Sequence, residues 1–271
     1  MLQRRLFLSR GSAVGCVAAL AGTGAVCAES ASSEAPAHTV QPHRAPHDVG
    51  RKFRADGTVQ PFAGNTFIGH VGQQGADFDM FDRLLDVYRD LPRQSFARKL
   101  SILPPSSYHV TVFVGLNEVD RGRPRWPGEF SPDTPMEAVT RIYAERMRAL
   151  DATTTEPYDF VVDGKPALRS EGTLQIKLKP ARAETKNRLD AVRGQLSRLT
   201  GLRDANHERY QYHLTLGYLH QFLTPEESAE MLQASENWAR NVSELGQPLL
   251  IRKLQFCAFR DMFAFRVVHQ A

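Results

Sequence analysis

The chain has 271 residues, 42% apolar and 24% charged, the proportions of a soluble globular protein long enough for one large domain or two small lobes. No run reads as a transmembrane helix, which argues against a helical membrane protein. The net charge of +4 owes much to the first residues: without 1–28, 31 Lys and Arg face 30 Asp and Glu, so a charge-driven affinity for nucleic acid has little basis.

Residues 1–28 carry three arginines and no acid, then an Ala/Gly/Val run ending in Val26-Cys27-Ala28, a small-residue cleavage pattern. Arg4-Arg5 followed by Leu6-Phe7-Leu8 resembles a bacterial twin-arginine export signal. The expectation is a cleaved signal peptide and an exported protein, periplasmic or secreted. An uncleaved anchor is the weaker alternative, because Ala and Gly insert poorly into a bilayer. Cleavage removes Cys16 and Cys27 and leaves Cys257 alone, so no internal disulfide can form and Cys257 is expected to be a buried small apolar residue. Residues 29–60, rich in Ser, Ala, Pro and His, lack hydrophobic periodicity and read as a disordered linker. Their irregularly spaced histidines make a metal tract a poor reading.

The folded domain is expected over 61–271. Residues 65–71 read as a strand and 77–91 as an amphipathic helix with Asp77 near its cap. A strand at 107–115 leads into a long Pro/Gly/Arg loop, 117–132. A helix follows at 134–150, with Thr134, Pro135 and Glu137 in the spacing of a capping box. Strands at 158–164 and 172–179 precede a helix at 181–200 closed by Gly201. A strand at 210–219, a helix opened by Thr224-Pro225-Glu226-Glu227, and a final pair of strands turning at Arg260-Asp261 complete the chain. Adjacent strand pairs among irregularly placed helices favour an α+β fold with antiparallel sheets over a doubly wound parallel sheet.

Two of the strands share a phrase: Tyr108-His109-Val110-Thr111-Val112 and Tyr212-His213-Leu214-Thr215-Leu216. Alternate side chains of a strand share a face. His109 and Thr111 therefore project together, as do His213 and Thr215, with imidazole and hydroxyl roughly 6–7 Å apart along each strand. The tyrosines and aliphatics project the other way and belong to the core. Two facing His/Thr pairs suit phosphodiester cleavage without a metal. One neutral imidazole takes a proton, the opposite imidazolium gives one to the leaving oxygen, and the hydroxyls hold the non-bridging phosphate oxygens.

His109-Val110-Thr111-Val112 and His213-Leu214-Thr215-Leu216 resemble the paired His-x-Ser/Thr motifs of the 2H phosphoesterase superfamily, over about residues 61–271. The resemblance implies a single bilobal domain: two pseudo-symmetric antiparallel sheets with outer helices and a cleft carrying one motif from each. It implies catalytic roles for His109 and His213 and phosphate binding by Thr111 and Thr215. The long 117–132 loop and the extended linker depart from the compact members that process RNA, so the substrate stays open.

Other candidates are weaker. Arg121, Arg123, Arg125 and Trp126 could form an arm that pairs with phosphate and stacks a base, or a solvated loop with Trp126 packed on the domain. Lys177 lies on a strand whose polar face (Gln175, Lys177, Lys179) lines either the cleft or solvent. His207 and His220 could orient substrate but read better as surface residues, and His70, which could approach the cleft if its strand neighbours a motif strand, reads better as a core residue. No HExxH, Gly-x-Ser-x-Gly or P-loop pattern occurs, so neither a metal nor a cofactor is expected. The sequence thus points to a monomeric hydrolase acting on a cyclic phosphate or 2′-linked phosphodiester of a nucleotide or short RNA-like oligonucleotide. It is expected to form no stable nucleic-acid complex and, once its signal is cleaved, to make no membrane contact. The rival reading is a non-catalytic module that binds a phosphorylated ligand or RNA in the same cleft.

Overall fold

Strands form at Gly64–His70 (β1), Leu100–Ile102 (β2), His109–Asn117 (β3), Tyr158–Val162 (β4), Ala167–Leu168 (β5), Thr173–Pro180 (β6), His213–Leu219 (β7), Leu249–Ile251 (β8), Gln255–Phe259 (β9) and Phe265–Gln270 (β10). Helices form at Phe78–Asp90 (α1), Met136–Met147 (α2), Ala183–Thr200 (α3) and Pro225–Glu244 (α4). This computed structural model describes residues 45–150, 156–164, 167–168 and 172–270. The expected signal peptide and residues 29–44 of the expected linker lie outside the described residues.

The expected strands form, except that the one expected over 248–259 breaks into β8 and β9, which join different sheets; all strand pairings among the described residues are antiparallel. The strands make a four-stranded sheet in the order β10-β9-β1-β3, and a six-stranded one in the order β2-β7-β6-β4-β8 with β5 beside β6. The fold is α+β, with one motif strand in each sheet. The lobes are not consecutive halves of the chain: β2 joins the second sheet, and β9 and β10 return from the C-terminus to the first. Helix α2 covers β1, β9 and β10 and packs on α3, which also touches β3, β4 and β6. Helix α4 lies on β4 and β5 with α1 against it.

The helices arise where apolar spacing gives them one face to bury. In α1, Met80, Phe81, Leu84 and Val87 recur at the 3–4 residue interval and are buried. Helix α3 ends at Gly201, whose φ of +73° permits the left-handed turn that returns its N–H to the Ser197 carbonyl. The Thr224/Glu227 capping box of α4 forms. Two expected caps do not. The carboxylate of Asp77 accepts two bonds from Arg252, at 2.6 and 2.8 Å, and a two-toothed charged pair outcompetes a single amide for it. At α2 the N-cap position falls on Pro135, which puts the Thr134 hydroxyl one residue out of reach. Strands β2 and β5, at three and two residues, are too short to show a period.

The expected linker is corrected over 45–60. Phe53 is buried in the core, bridges to Val49 and Val59, and meets the Tyr218 ring at 5.1 Å between centroids. One aromatic supplies the burial that averaged composition concealed. Cys257 is buried and unpaired, as expected, and burial pushes its thiol up to about 12.

The two sheets also come close where Gly69 of β1 passes Ile251 of β8. A β-carbon built on Gly69 would stand 1.9 Å from Cγ2 of Ile251, so only glycine allows the contact. Gly69→Ala should therefore lower stability in denaturant titrations by about 1–3 kcal/mol, the usual range for overpacking. Combining it with Ile251→Ala should give less than the sum of the two losses, since the second change removes the obstructing methyl. Strict additivity would show that the sheets do not meet there.

Candidate functional site

Strands β3 and β7 pack against each other, one from each sheet, and bring the two motifs to the seam. Antiparallel register then decides what stands beside each motif residue, because directly opposed residues share a face. His70 is opposite His109 and Ile68 opposite Thr111. Lys177 is opposite His213 and Gln175 opposite Thr215.

The histidines are held alike. His109 Nδ1–H donates to the carbonyl of Ser107 at 2.6 Å, and His213 Nδ1–H donates to that of Gln211 at 3.1 Å. Each acceptor is the carbonyl two residues upstream. A carbonyl can only accept, so each imidazole carries a proton on Nδ1, and neutral His109 keeps its Nε2 lone pair as an acceptor. The His109 ring sits 6.4 Å from that of His70 and 4.3 Å from Phe265, between centroids. Phe265 belongs to the opposite edge strand, so the first sheet must curl across its width to deliver it. His70 Nδ1–H in turn donates to Gln255 Oε1 at 2.7 Å, from β9.

Burial pushes the His109 pKa down from 6.5 to about 4; the hydrogen bond to Ser107 opposes this, and the nearby His70 and His213 add to it. At neutral pH His109 is uncharged. The packing of β3 on β7 brings the two motif histidines toward each other across the seam.

Thr111 and Thr215 are half-buried, and neither hydroxyl bonds a described residue. Thr66, Thr140, Thr185 and Thr200, all buried, each have a hydrogen-bond partner. The motif threonines thus keep their bonding capacity for something else. Tyr108 and Tyr212 are buried on the other face, as expected, with hydroxyls that find no partner. Burial raises both phenols well above their ordinary range.

The arginine-rich loop is not part of this site. It leaves β3 at Asn117, the end of the strand remote from His109. Arg125 donates to the carbonyls of Val114 (2.7 Å) and Gly115 (2.5 Å) and pairs with Asp120 (3.0 Å) and Asp204 (2.8 Å). Arg121 pairs with Glu118, donates to the carbonyls of Pro132 and Thr134, and lies over Trp126 at 4.8 Å. Trp126 is buried and bonds the Phe130 carbonyl at 2.9 Å; Arg123 is exposed at the tip. Of the two readings of the loop, the packed one fits Arg121, Arg125 and Trp126, whose carbonyl, carboxylate and core partners are already in place, while Arg123 stays exposed. Lys177, by contrast, does stand at the motif, beside His213.

Three other histidines are also corrected. His70 faces the site rather than the core. His207 and His220 are buried rather than exposed: the His207 carbonyl accepts from Arg193, and His220 lies 3.3 Å from Ser101 Oγ. Arg193 escaped notice altogether. It is buried in α3 among Leu189, Val192 and Leu196, so its signal was a charge set within an apolar stripe. Among the described residues no group of three or more His, Cys, Asp or Glu is arranged to hold a metal ion.

Residues 52–169 match a family model described as 2H-phosphodiest, a domain of unknown function (DUF1868). The matched stretch contains the first motif and stops before the second, and it supports the resemblance read from the motif pair. No curated protein matches the chain. Among solved structures, a conserved protein of unknown function from Agrobacterium tumefaciens str. C58 is similar at 25% identity with a TM-score of 0.75, over 86% of this chain and 95% of that one. Looser likenesses, at TM-scores of 0.41 and 0.37, are to a phosphoesterase (10% identity, 78% of this chain and 98% of that one) and to a protein of Thermus thermophilus (11%, 76% and 95%).

The low His109 pKa links to stability. The unfolded imidazole takes up a proton near pH 6.5 and the folded one only near 4. Between those values the unfolded chain binds more protons, so stability falls as pH drops through the window. NMR titration should place the His109 midpoint near 4, and His109→Gln should reduce the slope of stability against pH. A midpoint near 6.5 would contradict the burial.

Proposed function

We propose that the chain is a metal-independent phosphodiesterase that hydrolyses a cyclic phosphate or 2′-linked phosphodiester of a nucleotide or short oligonucleotide. One observation carries the reading: two His-x-Thr strands from different sheets meet at a seam, each histidine held through Nδ1 by the carbonyl two residues back. His109, neutral at pH 7, is the base that takes a proton from water as the water oxygen attacks phosphorus. His213 is the acid that gives a proton from Nε2 to the ribose oxygen as the P–O bond breaks, leaving a phosphomonoester. Thr111 and Thr215 hold the non-bridging oxygens as charge gathers on them, and Lys177 adds a fixed positive charge beside His213. The twin-arginine-like start supports an exported enzyme, for which scavenging of nucleotide phosphates is a fitting task.

The test is turnover of 2′,3′-cyclic nucleotides by purified protein in EDTA. Activity should persist. His109→Ala and His213→Ala should each lower kcat by about 10²- to 10⁴-fold, the usual contribution of a general acid or base. Thr111→Ala and Thr215→Ala should cost about 10²- to 10³-fold, as for lost oxyanion donors. The acidic limb of kcat/KM should lie near pH 4, well below that of an ordinary histidine. Loss of activity on chelation, or full activity in either histidine variant, refutes the mechanism. Saturable nucleotide binding without turnover by the wild type would establish a binding module instead.

A further inference from the structure

The β9–β10 hairpin has two working faces. Gln255 and Phe265 turn toward the histidines. Ala258 and Arg266, which oppose each other in register, lie on the other parity and face α2. There a cavity of about 540 Å³ opens between the hairpin and the helix. That volume falls within the about 300–1,000 Å³ of small-molecule sites.

Small side chains create the space. Ala63, Ala258, Ala264 and Val268 carpet the sheet side, with Met136 and Ala144 opposite on α2. The rim differs in character. Arg141 from α2 and Arg260 and Arg266 from the hairpin stand around it, all exposed. None of the three has a carboxylate at ion-pair distance among the described residues. Neighbouring arginines do find partners: Arg146, on the same helix as Arg141, pairs with Glu129. Two acids, Asp261 and Glu137, share the rim, so the three arginines leave it with a net positive charge; Asp261 accepts the Phe263 N–H at 2.8 Å.

We propose that this cavity binds a small amphipathic organic anion, its apolar body on the alanine carpet and its carboxylate, phosphate or sulfonate head among Arg141, Arg260 and Arg266. The site is separate from the histidines and does not depend on the reaction proposed for them. An apolar cavity alone would take a neutral hydrocarbon, so the arginine rim makes the specific claim: affinity must depend on the head group.

Calorimetric titration of the full chain with decanoate, and with decanol as its uncharged counterpart, separates these cases. Decanoate should bind saturably at one site and decanol at least tenfold more weakly. Ala258→Leu, which fills the cavity, and Arg266→Glu, an exposed change, should each weaken decanoate at least tenfold, with thermal unfolding as the check on folding. Arg141→Glu reports on the same rim from the helix side if Ala258→Leu folds poorly. His109→Ala should leave decanoate affinity unchanged, which excludes binding at the histidines. Equal affinity for decanol, indifference to the arginine variants, or no binding of decanoate at millimolar concentration would each overturn the assignment.

Discussion

The arrangement depends on how the open edge of β3 is closed. β3 ends the first sheet, so the carbonyls on its outer side have no neighbouring strand to bond them. An unpaired edge in the interior is costly and invites wrong pairing. Two arginines close it: Arg193 donates to the Val112 carbonyl, and Arg125 to those of Val114 and Gly115. Arg193 is only 3% exposed and donates also to the His207 carbonyl at 2.9 Å, just upstream of β7. One guanidinium therefore seals the first motif strand and ties it to the approach of the second. Its charge rests on carbonyl dipoles and on the face of Tyr210, 4.1 Å away.

Given that seam, the histidines need little further support. Each is oriented by a backbone carbonyl two residues upstream, a partner that comes with the strand and requires no additional side chain. The same device in both sheets makes the two imidazoles alike in tautomer, although their sheets differ in strand number and order. The tyrosine before each histidine faces inward, and its unpartnered hydroxyl shows that these positions are filled for bulk rather than bonding.

Much of this was legible because strand alternation is a strong local rule. It separated His and Thr from Tyr and the aliphatics in both motifs, while apolar spacing located α1 and end signals located the other three helices. The misses share a physical cause: each turns on a contact far away in the chain. The role of the 117–132 arginines depends on which carbonyls lie beneath them, and Arg125 reaches an aspartate 79 residues away. His70 joins the site only through its register with β3, which a single strand does not disclose. Residues 45–60 fold because Phe53 finds Tyr218, a partner that a compositional average over that polar stretch could not reveal. The return of β9 and β10 to the first sheet was equally hidden, since hairpin signals fix a pair of strands and not the sheet it joins.

That return explains why two half-sites built on one phrase are not equivalent. The first is flanked by the C-terminal hairpin: Phe265 lies against His109, Gln255 fixes His70, and partial burial lowers the His109 pKa. The second has Lys177 and Gln175 as its cross-strand neighbours, so it presents a fixed cation where the first presents an aromatic ring. The duplicated motif supplies matching geometry, while the unmatched neighbours, drawn from distant parts of the chain, give the two histidines different electrostatic surroundings.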